Sequence, residues 1–321
     1  MKKIKKRLAL IAVVLTVIIA CSGCGREYVE GSKDYSITLI TMDQMDVHWV
    51  NVNAGVEDAI AELETDGYTI TYNWYAPDTK DNGKQIEQID MAVSNRSDII
   101  MIAVNDPNAC NQALQEAMND GTRVIYIDSA ATLEGEATFA TDNYAAGQMA
   151  AEELLSVMSE AGVTEGQIGL ISAQAGVQSC VDRVDGFCSI IEDTDFTVSE
   201  VQYSEGDTST AQEMATNLIN NGAVALFGAN EAATIGCGNA ATEAVNKIYA
   251  VGFDNSSANR ALIEKDAIQA YMAQNPYDMG YQGMMAAAEI LDGADYDGLV
   301  TDTGVTVVTS ENVEEFAEDD D

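Results

Sequence analysis

Short β-rich segments alternate with amphipathic helical segments along the chain from residue 36 onward. The first strand is predicted at 36–41, the first helix at 50–64 and the second strand at 69–75. In the helix, apolar residues recur at the three- and four-residue spacing of one helical face. Repeated strand–helix alternation favours parallel sheets that are covered by helices on both faces.

The number of strands is too large for one small sheet, and the alternation breaks near Thr138. About 295 residues follow the N-terminal segment, which is more than one compact core holds. The sequence therefore predicts an α/β protein with two doubly wound parallel-sheet lobes. The remaining predicted strands are 99–104, 123–127, 168–171, 197–203, 223–227, 249–253, 267–272 and 304–308.

The first 25 residues read as an export signal rather than as part of the fold. Five Lys and Arg residues within 2–7 precede an uncharged apolar run at 8–20. That run is too short to span a bilayer, which takes roughly 20 residues, but it suits a secretory signal. It ends at Cys21 in a pattern that resembles a bacterial lipobox, in which the thiol carries a diacylglycerol. Cys24 is a poorer match, and an ordinary cleaved signal with an incidental cysteine is the alternative.

Charge and cysteine content exclude several classes of partner. The formal net charge is −38, and removal of the signal makes it about −43. Nucleic acid and anionic lipid headgroups are therefore not expected, because phosphate binding needs a positive face. A positive ligand does not follow, since net charge concerns solubility rather than a site. The cysteines beyond the signal lack CxxC spacing and a neighbouring His, so no metal site is predicted, and we interpret them as buried small residues: Cys110, Cys180, Cys188 and Cys237.

Polar side chains follow many of the predicted strands. In doubly wound sheets, ligands bind at the carboxyl ends of the strands. Any one of these residues could simply cap a helix, but six strand ends with Asp, Asn or Gln favour a polar ligand site. The segments are 42–49, 105–108, 128–129, 228–231, 254–255 and 274–275.

The order and spacing of several short motifs resemble the type I periplasmic binding proteins of the ribose- and galactose-binding kind, which serve ABC importers. The resemblance runs from about residue 36 to residue 308. Repressors of the lactose-repressor type share this core but begin with a DNA-binding helix-turn-helix, where this chain has the signal. The motifs are IYID at 125–128, ATDN at 140–143 followed by Gly147, DRVDGF at 182–187, ANEA at 229–232, VGFD at 251–254 and AQ at 273–274.

The resemblance implies the periplasmic binding protein-like I fold, with two lobes joined by a three-stranded hinge. The chain is expected to cross between the lobes near Thr141, Asn275 and Gly304. The implied organisation is a signal peptide at 1–20, a linker at 21–35, an N-terminal lobe at 36–141 and 275–303, and a C-terminal lobe at 142–274 and 304–321.

The resemblance also implies a set of ligand-binding residues. Asp128 would accept hydrogen bonds from ligand hydroxyl groups, and Arg183 would reach across from the second lobe. The other polar contacts would come from Asn230, Asp254 and Gln274.

In the first loop, Asp46, His48 and Trp49 fall where the family places an Asn or Asp and one or two aromatic rings. Trp49 would stack on the apolar face of a sugar ring. Ser129 stands where relatives have a basic residue or an amide, and Gly206 where they usually have a second aromatic wall. These departures leave room for a nucleoside, an inositol or a furanose signal.

The function expected from this resemblance is capture of a small polar ligand, a monosaccharide, by closure of the cleft. The protein would be a monomer without a cofactor, lipid-anchored on the extracytoplasmic face of the cell membrane, and would deliver its ligand to the permease and ATPase subunits of an ABC importer. A ligand sensor for a membrane kinase or chemoreceptor would need the same cleft, and only neighbouring genes would separate the two. An enzyme is not expected, because the chain has a single histidine, His48, and lacks a GxSxG elbow.

Overall fold

A computed structural model of the protein describes residues 33–44 and 46–320. The predicted signal peptide, with Cys21 and Cys24, lies outside these residues. Within the described part of the chain, none of the helices combines the length and the apolar character needed to cross a bilayer.

The first sheet has six strands in the order β12-β5-β4-β3-β1-β2. Four of its neighbouring strand pairs are parallel: β12 with β5, β5 with β4, β4 with β3 and β3 with β1. Helices on both faces bury the strands between two apolar clusters. The strands are β1 (Asp34–Ile40), β2 (Thr69–Tyr75), β3 (Ile99–Ile102), β4 (Arg123–Ile127), β5 (Ala137–Ala140) and β12 (Leu299–Asp302); the helices are α1 (Val47–Thr65), α2 (Asn82–Ser94), α3 (Asn111–Asn119) and α9 (Pro276–Leu291).

The second sheet has seven strands in the order β13-β11-β10-β9-β6-β7, with β8 paired to β6. Only β13 runs antiparallel to its neighbour among these described strands. The strands are β6 (Gly166–Ser172), β7 (Phe196–Val198), β8 (Gln202–Tyr203), β9 (Ala223–Gly228), β10 (Tyr249–Phe253), β11 (Ala270–Gln274) and β13 (Val305–Val308); the helices are α4 (Asn143–Glu160), α5 (Gln178–Ile191), α6 (Thr208–Asn220), α7 (Glu231–Glu243) and α8 (Ser257–Glu264), followed by a 3-10 helix at Val313–Asp320.

The two sheets repeat one topology, since β1, β3, β4 and β5 occupy the positions that β6, β9, β10 and β11 occupy in the second sheet. The chain passes between the sheets three times: between β5 and α4, between β11 and α9, and between β12 and β13. The predicted α/β fold with two parallel-sheet lobes is confirmed. The predicted residue limits of the lobes stay a prediction.

The helices that follow the first two crossings pack very closely on a neighbouring helix. A Cβ atom at Gly147 of α4 would lie 2.1 Å from the carbonyl oxygen of Arg183 on α5. In the first lobe, a Cβ atom at Gly55 of α1 would lie 2.0 Å from the carbonyl oxygen of Tyr277 on α9. Only glycine allows backbones to approach this closely. Each lobe therefore has one glycine-mediated helix pair next to a crossing.

Three features of the strand pattern differ from the sequence prediction. The strands β5 and β12, which pair with each other, were not predicted, and the strand predicted at 197–203 is divided into β7 and β8. β12 is an edge strand whose Val300 is 69% exposed, so it lacks the apolar signature of a buried strand. β5 has only four residues, which is too short for a periodic signal.

Candidate ligand-binding site

Two aspartates occupy equivalent positions in the two lobes. Asp128 follows β4 and Asp254 follows β10, and both have a left-handed backbone, with φ of 61° and 74°. Each donates its backbone N–H to the next strand of its sheet, Asp128 to Phe139 (2.8 Å) and Asp254 to Met272 (3.0 Å). Asp is among the few residues that adopt this conformation readily. The turn places one carboxylate at the carboxyl-end edge of each sheet.

Asp128 contacts two side chains of the first lobe. Its Oδ2 accepts a hydrogen bond from the hydroxyl of Ser129 (2.6 Å), and its Oδ1 lies 3.6 Å from His48 Nε2. The backbone N–H of Val104 donates to the carbonyl of Ser129 (3.1 Å), which holds the end of β3 beside Asp128. The predicted residues Asp128, Ser129 and His48 therefore lie together.

Asp254 is the centre of a polar network in the second lobe. Its Oδ1 accepts a hydrogen bond from Gln274 Nε2 (2.6 Å), and its Oδ2 accepts one from the backbone N–H of Glu231 (3.1 Å). The hydroxyl of Thr141, at the first crossing, donates to Gln274 Oε1 (3.0 Å). Asp254 is thus linked through Gln274 to the hinge.

Arg183 is fixed in place by its neighbours and is only 4% exposed. Its Nε donates to Asn143 Oδ1 (2.8 Å) and its Nη1 donates to the carbonyl of Ala229 (3.1 Å). Nη1 also lies 3.9 Å from Asp254 Oδ2, and Cζ is 4.1 Å from the centre of the Phe253 ring. These contacts use Nε and Nη1, so Nη2 is the donor group left for a ligand.

Several buried polar atoms at the strand ends have no hydrogen-bond partner among the described residues. They are His48 Nε2, Asn230 Oδ1 and both amide atoms of Asn105. Buried polar groups in folded proteins are nearly always paired, so unpaired atoms at the strand ends of both sheets indicate a ligand. Asn105 was not among the predicted site residues, although its position after β3 could have indicated it. Gln85 positions Asn105 by accepting its backbone N–H (3.0 Å) and by donating to the carbonyl of Ala103 (2.8 Å).

The remaining predicted residues of the first loop have different surroundings. Asp46 is exposed and caps α1 by accepting the backbone N–H of His48 (3.0 Å). Trp49 is 3% exposed and lies in the core of the first lobe, with its ring edge-to-face against His48. His48 is thus the more accessible ring, and stacking of a ligand on Trp49 stays a prediction.

Gly206 leaves open space in the second lobe. Its φ is 76°, and no other side chain or backbone atom lies within 4 Å of the position that a Cβ atom would occupy. The following residue, Asp207, caps α6 by accepting the backbone N–H of Thr210 (2.7 Å). The left-handed turn and the cap account for the Gly-Asp pair without a ligand contact.

The described residues contain no group of three or more His, Cys, Asp or Glu that could hold a metal ion. Cys110, Cys180 and Cys237 are buried free thiols, and Cys188 is half-buried. Burial raises the pKa of the Cys237 thiol to about 12. These cysteines therefore pack as small apolar residues.

Comparison with known proteins identifies the family. The model of the periplasmic binding protein domain matches residues 37–295, which is most of the chain. The chain belongs to the periplasmic binding protein domain family. Among its relatives are the D-allose-binding periplasmic protein of Escherichia coli, 24% identical with 79% of this chain and 83% of the relative covered, and the ribose import binding protein of Bacillus subtilis, 26% identical with 66% and 69% covered.

Solved structures of solute-binding proteins agree with the fold of this chain. An ABC transporter solute-binding protein of Agrobacterium vitis with bound D-fucose is 30% identical, with a TM-score of 0.74 over 87% of this chain and 97% of that one. A carbohydrate transporter solute-binding protein of Agrobacterium radiobacter in complex with D-arabinose is 27% identical, with a TM-score of 0.77 over 88% and 98%. These relatives and structural neighbours are binding proteins for small solutes.

Proposed function

We propose that the protein is an extracytoplasmic lipoprotein that captures a monosaccharide between its two lobes and delivers it to an ABC importer. The observation that carries this proposal is the pair of equivalent aspartates, Asp128 and Asp254, one at the edge of each sheet. Buried polar atoms that have no hydrogen-bond partner among the described residues also lie at the strand ends of both lobes, on His48, Asn105 and Asn230. Relatives with bound D-fucose and D-arabinose support a sugar as the ligand.

The chemistry of the site suits a sugar. Sugar hydroxyl groups both donate and accept hydrogen bonds, so they match carboxylates, amides and a guanidinium together. Asp128 and Asp254 accept, Arg183 Nη2 donates, and the amides of Asn105 and Asn230 can do both. Hydrogen bonds to the charged groups are the stronger ones. An epimer that leaves one of these buried groups unpaired would lose about 1–3 kcal/mol, which gives stereochemical selectivity.

Closure of the cleft would use the three crossings as a hinge. Asp302 Oδ1 accepts the backbone N–H groups of Asp142 (3.0 Å) and Gly304 (2.9 Å), and thereby ties the first crossing to the third. The bond between Thr141 and Gln274 ties the first crossing to the second. A ligand that contacts both lobes favours the closed arrangement by its differential affinity.

Anchoring and delivery complete the proposal. Acylation of Cys21 would hold the protein at the membrane without a spanning segment. A monomer with its cleft at the surface would present the closed form to the permease. We assign it no catalytic step, because binding and release of the sugar are sufficient for this role.

A thermal-shift screen of the purified protein against pentoses, hexoses, inositols and nucleosides tests the proposal. A ligand at 100 times its Kd stabilises the fold by about 2.7 kcal/mol, which such a screen detects easily. We expect a shift with one or a few stereochemically related sugars. A shift with nucleosides alone, or with no compound, would contradict the sugar assignment. Uptake of the radiolabelled sugar into cells with and without the protein then tests delivery.

A further inference from the structure

The turn that carries Asp254 is held by contacts from a helix as well as from a strand. Its φ of 74° is uncommon outside glycine, and such a backbone persists only where neighbouring groups fix it. Asn259 of α8 is fully buried, and its Nδ2 donates to the backbone carbonyls of Phe253 (3.0 Å) and Asp254 (2.8 Å). The backbone N–H of Asp254 donates to Met272 of β11. The direction of the Asp254 carboxylate therefore depends on how α8 and β11 meet this turn.

The next residue, Asn255, adds a second set of contacts to the same turn. Its Oδ1 accepts hydrogen bonds from the hydroxyl of Tyr271 (2.8 Å) and from Arg260 Nη1 (2.7 Å), and both donor residues are buried. Its Nδ2 donates to the backbone carbonyl of Phe316 (3.3 Å). Although Asn255 is one of the polar residues at the strand ends, the protein itself engages both ends of its amide.

Phe316 belongs to the C-terminal 3-10 helix, which is fixed on the second lobe by its own packing. Val313 of this helix is buried, and the Phe316 ring packs against the apolar cluster that contains Tyr271. Asn312, just before the helix, donates through Nδ2 to the carbonyl of Val307 on β13 (3.0 Å). The C-terminal helix thus reaches the turn of Asp254 through its contact with Asn255.

Asp254 and Asn255 are both bonded to β11. Gln274 contacts the carboxylate of Asp254, and Tyr271, three residues earlier on the same strand, contacts the amide of Asn255. A group that binds a ligand must be held within about 0.5 Å of its productive position. Loss of the contacts of Asn255 would let the turn rotate, and the carboxylate of Asp254 would move with it.

We propose that Asn255 is a positioning residue for Asp254, and that the C-terminal 3-10 helix keeps Asn255 in that role through the carbonyl oxygen of Phe316. This inference rests on the proposed function, in which Asp254 binds the sugar. Asn255 makes no ligand contact of its own. The last residues of the chain thereby contribute to ligand affinity through two side-chain steps.

Two variants loosen this connection in different ways. Asn255→Asp keeps the oxygen that accepts two hydrogen bonds but places a second oxygen against the carbonyl of Phe316, so it breaks the bond to the C-terminal helix. Phe316→Ala adds no charge and keeps the carbonyl, but removes the ring that packs the helix on the lobe. Asn95→Asp is the matched control, because Asn95 Nδ2 donates to the Tyr75 hydroxyl (2.8 Å) in the first lobe.

Hydrogen exchange, measured by NMR on the full-length protein in mild detergent, tests the positioning role without a sugar. The backbone N–H of Asp254 should exchange about tenfold faster in Asn255→Asp, and faster than in the wild type in Phe316→Ala. The equivalent N–H of Asp128, in the first lobe, should keep its wild-type rate in both. Asn95→Asp should change neither rate.

Calorimetry tests the consequence for binding. The probes are D-ribose, D-allose, D-arabinose and D-fucose, the sugars named for relatives and structural neighbours. Affinity for a sugar that binds should fall about three- to tenfold in Asn255→Asp and stay unchanged in Asn95→Asp. In an Asp254→Asn background, Asn255→Asp should cause no further loss, because it acts through Asp254.

The outcomes separate this inference from the proposed function. Unchanged exchange at Asp254 in Asn255→Asp, or equal acceleration at Asp254 and Asp128, would overturn the positioning role. A full loss of affinity from Asn255→Asp in the Asp254→Asn background would overturn it as well. Wild-type exchange in Phe316→Ala would remove the C-terminal helix from the proposal. If none of the four sugars binds while exchange at Asp254 accelerates, the assignment of these sugars fails and the positioning of Asp254 stands.

Discussion

The close packing of α4 against α5 at Gly147 holds Arg183 in position, and it predicts what a larger residue at Gly147 would do. A Cβ atom added by Gly147→Ala would lie 2.1 Å from the carbonyl oxygen of Arg183, whereas an ordinary contact begins at 3.4 Å. The two helices must therefore separate by about 1.3 Å at this point. One turn earlier on α4, Asn143 accepts a 2.8 Å hydrogen bond from Arg183 Nε. The same displacement would lengthen that bond to about 4.1 Å, which breaks it.

Gly147→Ala should therefore affect both stability and binding. Overpacking of this kind costs about 1–3 kcal/mol of the free energy of unfolding. Loss of one charge-assisted hydrogen bond to the ligand, worth about 1.5–3 kcal/mol, lowers affinity by about 10- to 150-fold. Gly55→Ala creates a matching overlap, 2.0 Å from the carbonyl oxygen of Tyr277, in the helix pair of the first lobe. It should lower stability by a similar amount and leave Arg183 in place.

Urea unfolding and calorimetry with the sugar found by thermal shift measure the two effects. NMR of the Arg183 Nε–H group gives a readout that needs no ligand, because its hydrogen bond to Asn143 protects that proton from exchange with water. We expect faster exchange in Gly147→Ala and unchanged exchange in Gly55→Ala. An equal loss of affinity in both variants, or wild-type sugar binding by Gly147→Ala, would show that packing at Gly147 does not position Arg183.

Three further predictions concern the anchor, the hinge and the guanidinium. Cys21→Ser should abolish acylation of the mature N-terminus, as read by mass spectrometry, whereas Cys24→Ser should leave it intact; the reverse result would move the anchor to Cys24. Asp302→Ala removes the acceptor shared by two crossings, so small-angle scattering should show a wider spread of lobe arrangements, with a loss of stability of about 1–2 kcal/mol; an unchanged scattering profile would contradict this role. Arg183→Lys keeps the charge but loses the planar fork, so the affinity for sugar should fall about tenfold or more, and full affinity would show that a point charge suffices.

Much of the fold was predictable because its determinants are local. The strand–helix alternation and the break near Thr138 are enough to indicate two parallel-sheet lobes, since each unit buries its own apolar face. β5 and β12 were not predicted because their determinants are not local. β12 pairs with β5, which lies far away in the sequence, and the residues of β12 are largely exposed. A contact between distant segments leaves no periodic signal in either of them.

The candidate site likewise has some residues that local sequence predicts and others that depend on packing between distant segments. Asp128 and Asp254 were predictable from their positions after strands, because parallel strands end at one edge. The burial of Trp49 was not, since neighbouring residues on a helix face different directions and only packing decides which ring reaches the core. Asn105 was visible as a strand-end residue. Its place in the candidate site follows only from the buried, unpaired state of its amide atoms, which depends on all the surrounding segments.

We propose that the equivalent aspartates of the two lobes bind one sugar between them. Calorimetry with the sugar found by thermal shift should be performed on Asp128→Asn, Asp254→Asn and the control Asp266→Asn. Asp266 also has a left-handed backbone, with φ of 55°, but its carboxylate pairs with Lys247 at 2.6 Å outside the cleft. Asn also adopts the left-handed backbone conformation readily, so each of the three substitutions removes a charge with little backbone strain. We predict that each cleft variant weakens binding about tenfold or more, while the control binds as the wild type does. Unchanged affinity in both cleft variants would show that Asp128 and Asp254 do not bind the sugar.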